Sequence, residues 1–428
     1  MSDPNAVDQV KPALLNSTLS GIGVYGSKAI SQAARDNPDI MNMSIGEPAF
    51  GPPAHLLAEI ARTDLSREAF LSSAKRYGHS LGSLALRQAI ADWYLRRYNL
   101  RVNPDTEVLI THGGVEAVAL AILCCSEPGD TLAITDPSYM LYERALLALG
   151  RRPRRFSRPV GDAEFTGLID NDPSFRRQLG GAKAVIVNSP ENPSGYVLSA
   201  DEWQQLMRCA ERSGAWVIHD EVYDSMAFGR PHYPARCFDP LAGRTVLANS
   251  FSKKFGIPGL RIGWLVGSAG FIATAGKTHD YLVLGVNRQY EQIALRILQD
   301  AHTDEWLADQ QTLLLSRIRL AKQRLTPALG FSWPRAPMGG MFLFPCVRGL
   351  YQRLPPAQQQ RFATAGESVA DYLLQVARVA TVPGIIYGQS CADHIRIVLC
   401  CDEPTFHTAL ERLAACRPAG FTQKQERS

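Results

Sequence analysis

Six short runs rich in aliphatic and β-branched residues punctuate the first two thirds of this chain, each followed by a loop and then, in most cases, a helical pattern. They are Glu107–Thr111, Thr131–Thr135, Ala184–Asn188, Ala215–His219, Thr245–Ala248 and Ile262–Val266. The pattern after Asn188 opens at Ser199 with Glu202 three residues on, the reciprocal side-chain arrangement that starts a helix. Strand and helix alternating in this way predict an α/β domain built on a mainly parallel sheet flanked by helices. Residues suited to chemistry fall just past the strand ends: His112–Val115, Asp136–Tyr139, Asn192–Gly195, Asp220–Tyr223 and Ser250–Lys253. Open α/β sheets bind ligands outside the carboxyl ends of their strands, so one crevice is expected to collect all five segments.

A chain of 428 residues exceeds one ordinary core, and its later part changes character. A long helical stretch from about Glu305 to Leu325 precedes short strand-like pieces at Met341–Phe344 and His394–Leu399 and a helical pattern from Pro404 to Leu413. We expect a large domain over 51–305 and a smaller α+β domain formed by 1–50 with 306–428. Pro355–Gln360 reads as a surface insertion and the polar tail after Pro418 as frayed. Forty-five lysines and arginines against 41 acidic residues leave a net charge of +4, too balanced for a nucleic-acid or membrane surface. Apolar runs such as Val115–Cys125 are too short for a membrane span, and the first residues lack a basic-then-apolar signal pattern. Nine cysteines include two adjacent pairs but no C-x-x-C, which fits reduced core thiols and a cytoplasmic protein.

The segment Ser250–Gly263 carries the most specific chemistry. It sets a lysine among small hydroxyl residues and glycines, with Arg261 eight positions later. A lysine amine condenses with an aldehyde to a Schiff base. Ser250, Ser252 and Arg261 are donors suited to a phosphate, and the glycines let backbone N–H groups approach it. Gly113, Gly114 and Val115 at a predicted helix start add N–H groups and the positive end of a helix dipole. An aldehyde and a phosphate on one molecule describe pyridoxal 5'-phosphate. No metal site is expected.

Ser250-Phe-Ser-Lys-Lys-Phe-Gly-Ile-Pro-Gly-Leu-Arg-Ile-Gly263 also resembles the lysine signature of the class I/II aminotransferases, fold-type-I pyridoxal-phosphate enzymes, and the resemblance runs from about Asn42 to Leu413. The resemblance implies that the mainly parallel sheet is of a seven-stranded type, and it selects Lys253 over Lys254 as the Schiff-base lysine. It implies that Asp220 meets the cofactor's ring nitrogen, and that Tyr223 and Asn192 hydrogen-bond its phenolic oxygen. Tyr139, in Pro137-Ser-Tyr-Met-Leu-Tyr142, resembles the aromatic that stacks on the ring. Tyr77 resembles the tyrosine sent across a homodimer interface to the neighbour's phosphate. Arg396 matches the arginine that grips the substrate α-carboxylate, with Asn192 and the Ile45-Gly46-Glu47-Pro48 loop beside it, and the Gly21–Tyr25 region is placed over the side-chain pocket. Val115 stands where many members carry a polar residue, leaving only its backbone to help and pointing away from a dedicated aspartate enzyme. Strand alternation sets Asp220 and Val222 on one side and His219 and Glu221 on the other, so His219 reads as a packed residue. Amino-group transfer between an L-amino acid and a 2-oxo acid by a ping-pong mechanism is the implied activity. Relatives of the same fold that act as lyases, decarboxylases or oxidases share these motifs and are the alternative.

Three other matches compete. Gly78-His-Ser80-Leu-Gly82 fits the nucleophile elbow of α/β-hydrolases, which requires a buried strand before it. Gly21-Ile-Gly23-Val-Tyr-Gly26 fits a dinucleotide fingerprint without a preceding strand, and Gly270 to Gly276-Lys-Thr278 has one residue too many for a P-loop. A cofactor-binding transcription regulator would need more chain before the family region. Arg288 is a candidate ligand for a distal carboxylate of the substrate, in its own or a neighbouring subunit's site, with an interface or surface arginine as the plainer reading.

Overall fold

The computed structural model describes residues 15–23, 26–157, 179–334 and 336–416. The tail after Pro418 and Tyr25 of the Gly21–Tyr25 cover lie outside them.

The large sheet has seven strands: β1 (Val108–Thr111), β2 (Thr131–Asp136), β3 (Arg152–Ser157), β4 (Ala184–Asn188), β5 (Trp216–Asp220), β6 (Thr245–Ser250) and β7 (Gly263–Val266), in the order β1-β7-β6-β5-β4-β2-β3. All neighbours are parallel except β7, which runs against both β1 and β6. Both faces are covered by helices, so β1, β4 and β6 are buried at every position, as their unbroken apolar runs require. Because β7 is reversed, its beginning lies at the same sheet edge as the ends of the others, with Gly263 paired to both Ser250 and Thr111. That reversal brings Arg261, two residues before β7, to the strand ends.

β3 was not expected from the sequence. Its residues, Arg-Pro-Arg-Arg-Phe-Ser, show no apolar alternation, and the strand survives because it lies at the edge, where a proline breaks no ladder.

Helices that matter below are α1 (Gly26–Arg35), α2 (Gly113–Cys125), α3 (Ala200–Ser213), α4 (Phe251–Lys254) and α5 (Thr303–Leu329). The Ser199–Glu202 capping box starts α3 as predicted, and Gly214, at φ 69°, ends it in the left-handed conformation. One cluster of buried apolar residues packs under the sheet around Trp93, Trp203 and Trp264, and another fills its opposite face around Leu120, Ile134 and Ile218. A separate cluster gathers α5 from Leu314 to Leu329 with a three-stranded antiparallel sheet and the helix Glu403–Ala415. That sheet, in the order β9-β10-β8, consists of β8 (Phe342–Leu343), β9 (Val382–Pro383) and β10 (Ile395–Val398). Leu307, nearer the start of α5, belongs to the first cluster, so this one helix spans both packing regions. Met41–Asn42 pairs with Val379–Ala380, tying the chain's early segment to this second region. The residues Pro356–Gln359, read as a surface insertion, form a single helical turn with no buried residue.

The three competing motifs lack their structural context. Ser80 follows the helix Arg67–Ala74 and a loop, not a strand. Gly21 ends a helical turn, and Gly270–Thr278 lies inside the helix Ala269–Val283.

Candidate active site

Five strand ends converge on one crevice. Its inner part is lined by Gly114, Val115, Tyr139, Asp220, Tyr223, Ser250, Lys253 and Arg261. An adjoining cavity of about 280 Å³ is lined by Gly46, Asn192, Phe342 and Arg396, and shares Tyr139, Tyr223, Lys253 and Arg261 with the first. Lys253 therefore stands where the two meet.

Asp220 closes the inner end. Strand alternation turns it into the crevice, where its Oδ2 accepts from the Tyr142 hydroxyl at 2.6 Å and its Oδ1 from the Val222 amide at 3.2 Å. Burial pushes its carboxyl up to about 6, against the pull of those two donors. A carboxylate held this way is stabilised by a cation brought beside it. His219 faces the other side as alternation predicts: its ring packs against Trp203 with centroids 4.5 Å apart and planes tilted by 53°, and a ring nitrogen meets the Ser189 carbonyl at 3.0 Å.

Lys253 sits on α4, whose preceding residue Ser250 caps it by accepting from the Ser252 amide. Its Nζ donates to the Gly46 carbonyl at 2.6 Å. Burial holds its ammonium below the ordinary lysine range, and the charges of Arg396 and Arg261 push the same way. Lys254 diverges completely. It is fully buried on the far side, within 2.7 Å of both Asp224 Oδ1 and Asn249 Oδ1, with the Trp264 ring centroid 4.6 Å away. The two lysines are thus distinguished by geometry: only Lys253 can reach a ligand in the crevice.

Arg261, which lines the same crevice as Asp220, holds an uncommon left-handed backbone (φ 54°). Its Nη1 lies 3.4 Å from Ser252 Oγ, and Ser250 and Ser252 hydroxyls are 2.8 Å apart. The glycines matter here for space. A Cβ on Gly113 would sit 2.5 Å from the Arg261 guanidinium, and one on Gly114 would press on Val222 at 3.1 Å. Two hydroxyls, one guanidinium and the first N–H groups of α2 form a cradle with phosphate chemistry, in the same crevice as a buried carboxylate and an amine whose charged form burial disfavours. That donor set fits pyridoxal 5'-phosphate at both ends and in the middle.

Arg396, on β10, is 3% exposed. It donates to Ser44 O at 2.5 Å and Asn192 Oδ1 at 2.9 Å, lies over the rings of Phe342 and Tyr387, and has no carboxylate partner among the described residues. Its Nε is buried with no acceptor. An uncompensated buried guanidinium with an orphan donor is expensive unless an anion completes it. Asn192 serves this arginine, and its own amide is fixed by Asn188 Oδ1 at 2.7 Å. Tyr223 is buried against Phe342.

Of the residues singled out from the sequence, Tyr77 lies outside: it is 80% exposed and lines neither cavity. Arg288 also lies elsewhere, beside Asp64 and Gln292. Sequence reasoning passed over Tyr142, Asn188, the Lys254–Asp224 pair and Lys28, which lines the outer cavity. Tyr142 carried a signal, since it follows Tyr139 by three residues on a helix start and must face the same way.

Comparison with known proteins agrees with this geometry. Residues 38–413 match the family model described as aminotransferase class I and II. The LL-diaminopimelate aminotransferase of Desulforudis audaxviator is 27% identical over 388 residues, covering 88% of this chain and 90% of that protein. The arginine–pyruvate transaminase of Pseudomonas aeruginosa is 28% identical over 386 residues, covering 88% and 90%. Among solved structures, the N-succinyldiaminopimelate aminotransferase of Mycobacterium tuberculosis superposes with a TM-score of 0.81 at 26% identity, covering 94% of this chain and all of that one. The buried carboxylate, the amine and the phosphate cradle are the parts such an enzyme needs, and the chain belongs to the class I and II aminotransferase family, whose members of this fold use pyridoxal 5'-phosphate.

Proposed function

We propose that this aminotransferase moves an amino group between an L-amino acid and a 2-oxo acid in two half-reactions centred on Lys253, Asp220 and Arg396. When bound, pyridoxal 5'-phosphate supplies the electron sink that makes the substrate α-carbon acidic. Ser250, Arg261 and the amides of Gly113, Gly114 and Val115 hold its phosphate; Tyr139 covers a ring face, and the Tyr223 hydroxyl, with Asn192 nearby, serves the phenolic oxygen. Asp220, oriented by Tyr142, keeps a proton on the ring nitrogen. Lys253 Nζ, whose ammonium form burial disfavours, would take the substrate's α-proton and deliver it to the cofactor's C4' carbon. Arg396 and Asn192 fix the substrate carboxylate, with the Gly46 backbone at its side. The single observation that carries the reading is the buried Arg396 guanidinium with its unmet donor, next to Lys253.

The family relatives named above act on unlike substrates, so their names do not choose this chain's donor. The test is product analysis with a panel of amino donors and 2-oxo acids. Stoichiometric exchange of amine for keto group supports the reading; ammonia or carbon dioxide as the main product replaces it with elimination or decarboxylation.

We also propose a homodimer in which Tyr77 completes the neighbour's phosphate site. Tyr77 is exposed, as are the large apolar residues Phe70 and Leu71 a few positions earlier, and Tyr281 and Leu282 are 92% and 60% exposed. Mixed dimers of Tyr77→Phe and Lys253→Ala chains would then regain one intact site. No described helix is long and apolar enough to cross a membrane. A cytoplasmic location fits the cysteines, none of which is paired.

A further inference from the structure

The outer cavity has a charge left over once the family chemistry is assigned. Its basic lining residues are Lys28, Lys253, Arg261 and Arg396, and Glu47 is its one carboxylate. Lys253 serves the cofactor, Arg261 the phosphate and Arg396 the α-carboxylate. Glu47 is already engaged by Arg35, which lies on α1 with Lys28. Lys28 itself is solvent-accessible, in the first turn of α1, and among the described residues it has no ion pair. The N-terminal end of a helix carries the same sign, so nothing local offsets the ammonium.

We propose that Lys28 is a specificity-determining residue that receives the distal carboxylate of a dicarboxylic substrate. Arg396 on β10 and Lys28 on α1 are both in the lining of one cavity, which Ile45, Gly46 and Phe342 also line. A substrate with an anion at each end satisfies both cations, whereas a neutral side chain leaves Lys28 to water. The cavity, about 280 Å³, stands at the small end of ligand sites and suits a short diacid better than a long chain. This rests on the assignment of Arg396 to the α-carboxylate. It also differs from a role for Arg288, which does not line this cavity.

The test pairs a binding measurement with a kinetic one. Glutarate and valerate have the same chain length and differ only in the second carboxylate; their affinities for the cofactor-loaded enzyme are measured by calorimetry. Lys28→Met is expected to weaken glutarate about 10-fold, the order expected of one partly solvated ion pair, and to leave valerate within about twofold. Lys28→Arg retains the glutarate preference. In single-turnover amino transfer, the glutamate-to-glutamine ratio of kcat/KM falls by a similar factor in Lys28→Met, with the glutamine rate unchanged. Equal loss for both acids, no loss, a wild-type preference for glutamine, or a collapse of the preference in Arg288→Met alone overturns the proposal. Because glutarate and valerate do not react, this outcome is independent of whether the enzyme transfers amines.

Discussion

Replacing Arg396 with methionine is the substitution whose effect can be worked most fully from the structure. The guanidinium is almost wholly buried, holds Ser44 O and Asn192 Oδ1 with one edge, and leaves Nε without an acceptor. A substrate carboxylate meeting the open edge forms two charged hydrogen bonds, each about 1.5–3 kcal/mol. Loss of both removes about 3–6 kcal/mol, or about 10²- to 10⁴-fold in kcat/KM. Arg396→Lys keeps the charge but not the fork, and falls between the parent and methionine. The assay is the amino-donor half-reaction, followed by the absorbance change of the bound cofactor under single-turnover conditions. The control is the corresponding amine without its carboxyl group. If Arg396 acts as described, the amino acid loses its advantage over the amine and the slow reaction of the amine is unaltered. An equal loss on both substrates would mean the substitution had damaged the site generally. Near-parental rates for the amino acid in Arg396→Met would refute the assignment.

Other expectations follow from the same contacts. Tyr142→Phe removes a donor that lowers the Asp220 carboxyl, so the acid limb of the pH–rate profile moves to higher pH, while the phosphate affinity of the apo-protein is unchanged. In the apo-protein the folded-state Asp220 value, about 6, is raised above its ordinary one of 3.8. Its contribution to stability is therefore full below the ordinary value and lost as pH rises through about 6, a dependence that Asp220→Asn abolishes in unfolding measured across that window. Lys254→Met strands the buried Asp224 carboxylate and lowers stability by about 3–5 kcal/mol, read by urea denaturation with tryptophan fluorescence; adding Asp224→Asn restores much of the loss.

The crevice was legible because its parts sit at strand ends, and strand ends are written as the close of an aliphatic run. Thr131–Thr135 announced Tyr139, and Ala215–His219 announced Asp220. β3 was illegible because an edge strand can carry charges and a proline that an interior strand cannot. Lys254 was read only as the lysine that loses the contest with Lys253. Its partner Asp224 lies 30 residues earlier, and only the parallel pairing of β5 with β6 brings the two together. Lys28 illustrates the same limit. It belongs to a helix with no catalytic motif, and its place in the outer cavity depends on how α1 packs beside the second region. Arg288 shows the converse: a chemically suitable residue whose position in this chain is away from the cavity. Chemistry can be guessed from residue type, but proximity between distant segments comes from packing.

The most direct test of the whole account is the identity of the lysine that bonds the cofactor. Reduce the pyridoxal-phosphate-loaded protein with borohydride, digest it and locate the added mass by tandem mass spectrometry. The account predicts a single modified site at Lys253, lost in Lys253→Ala and retained in Lys254→Met. Modification of Lys254 or Lys28 instead, or none at all, would contradict it.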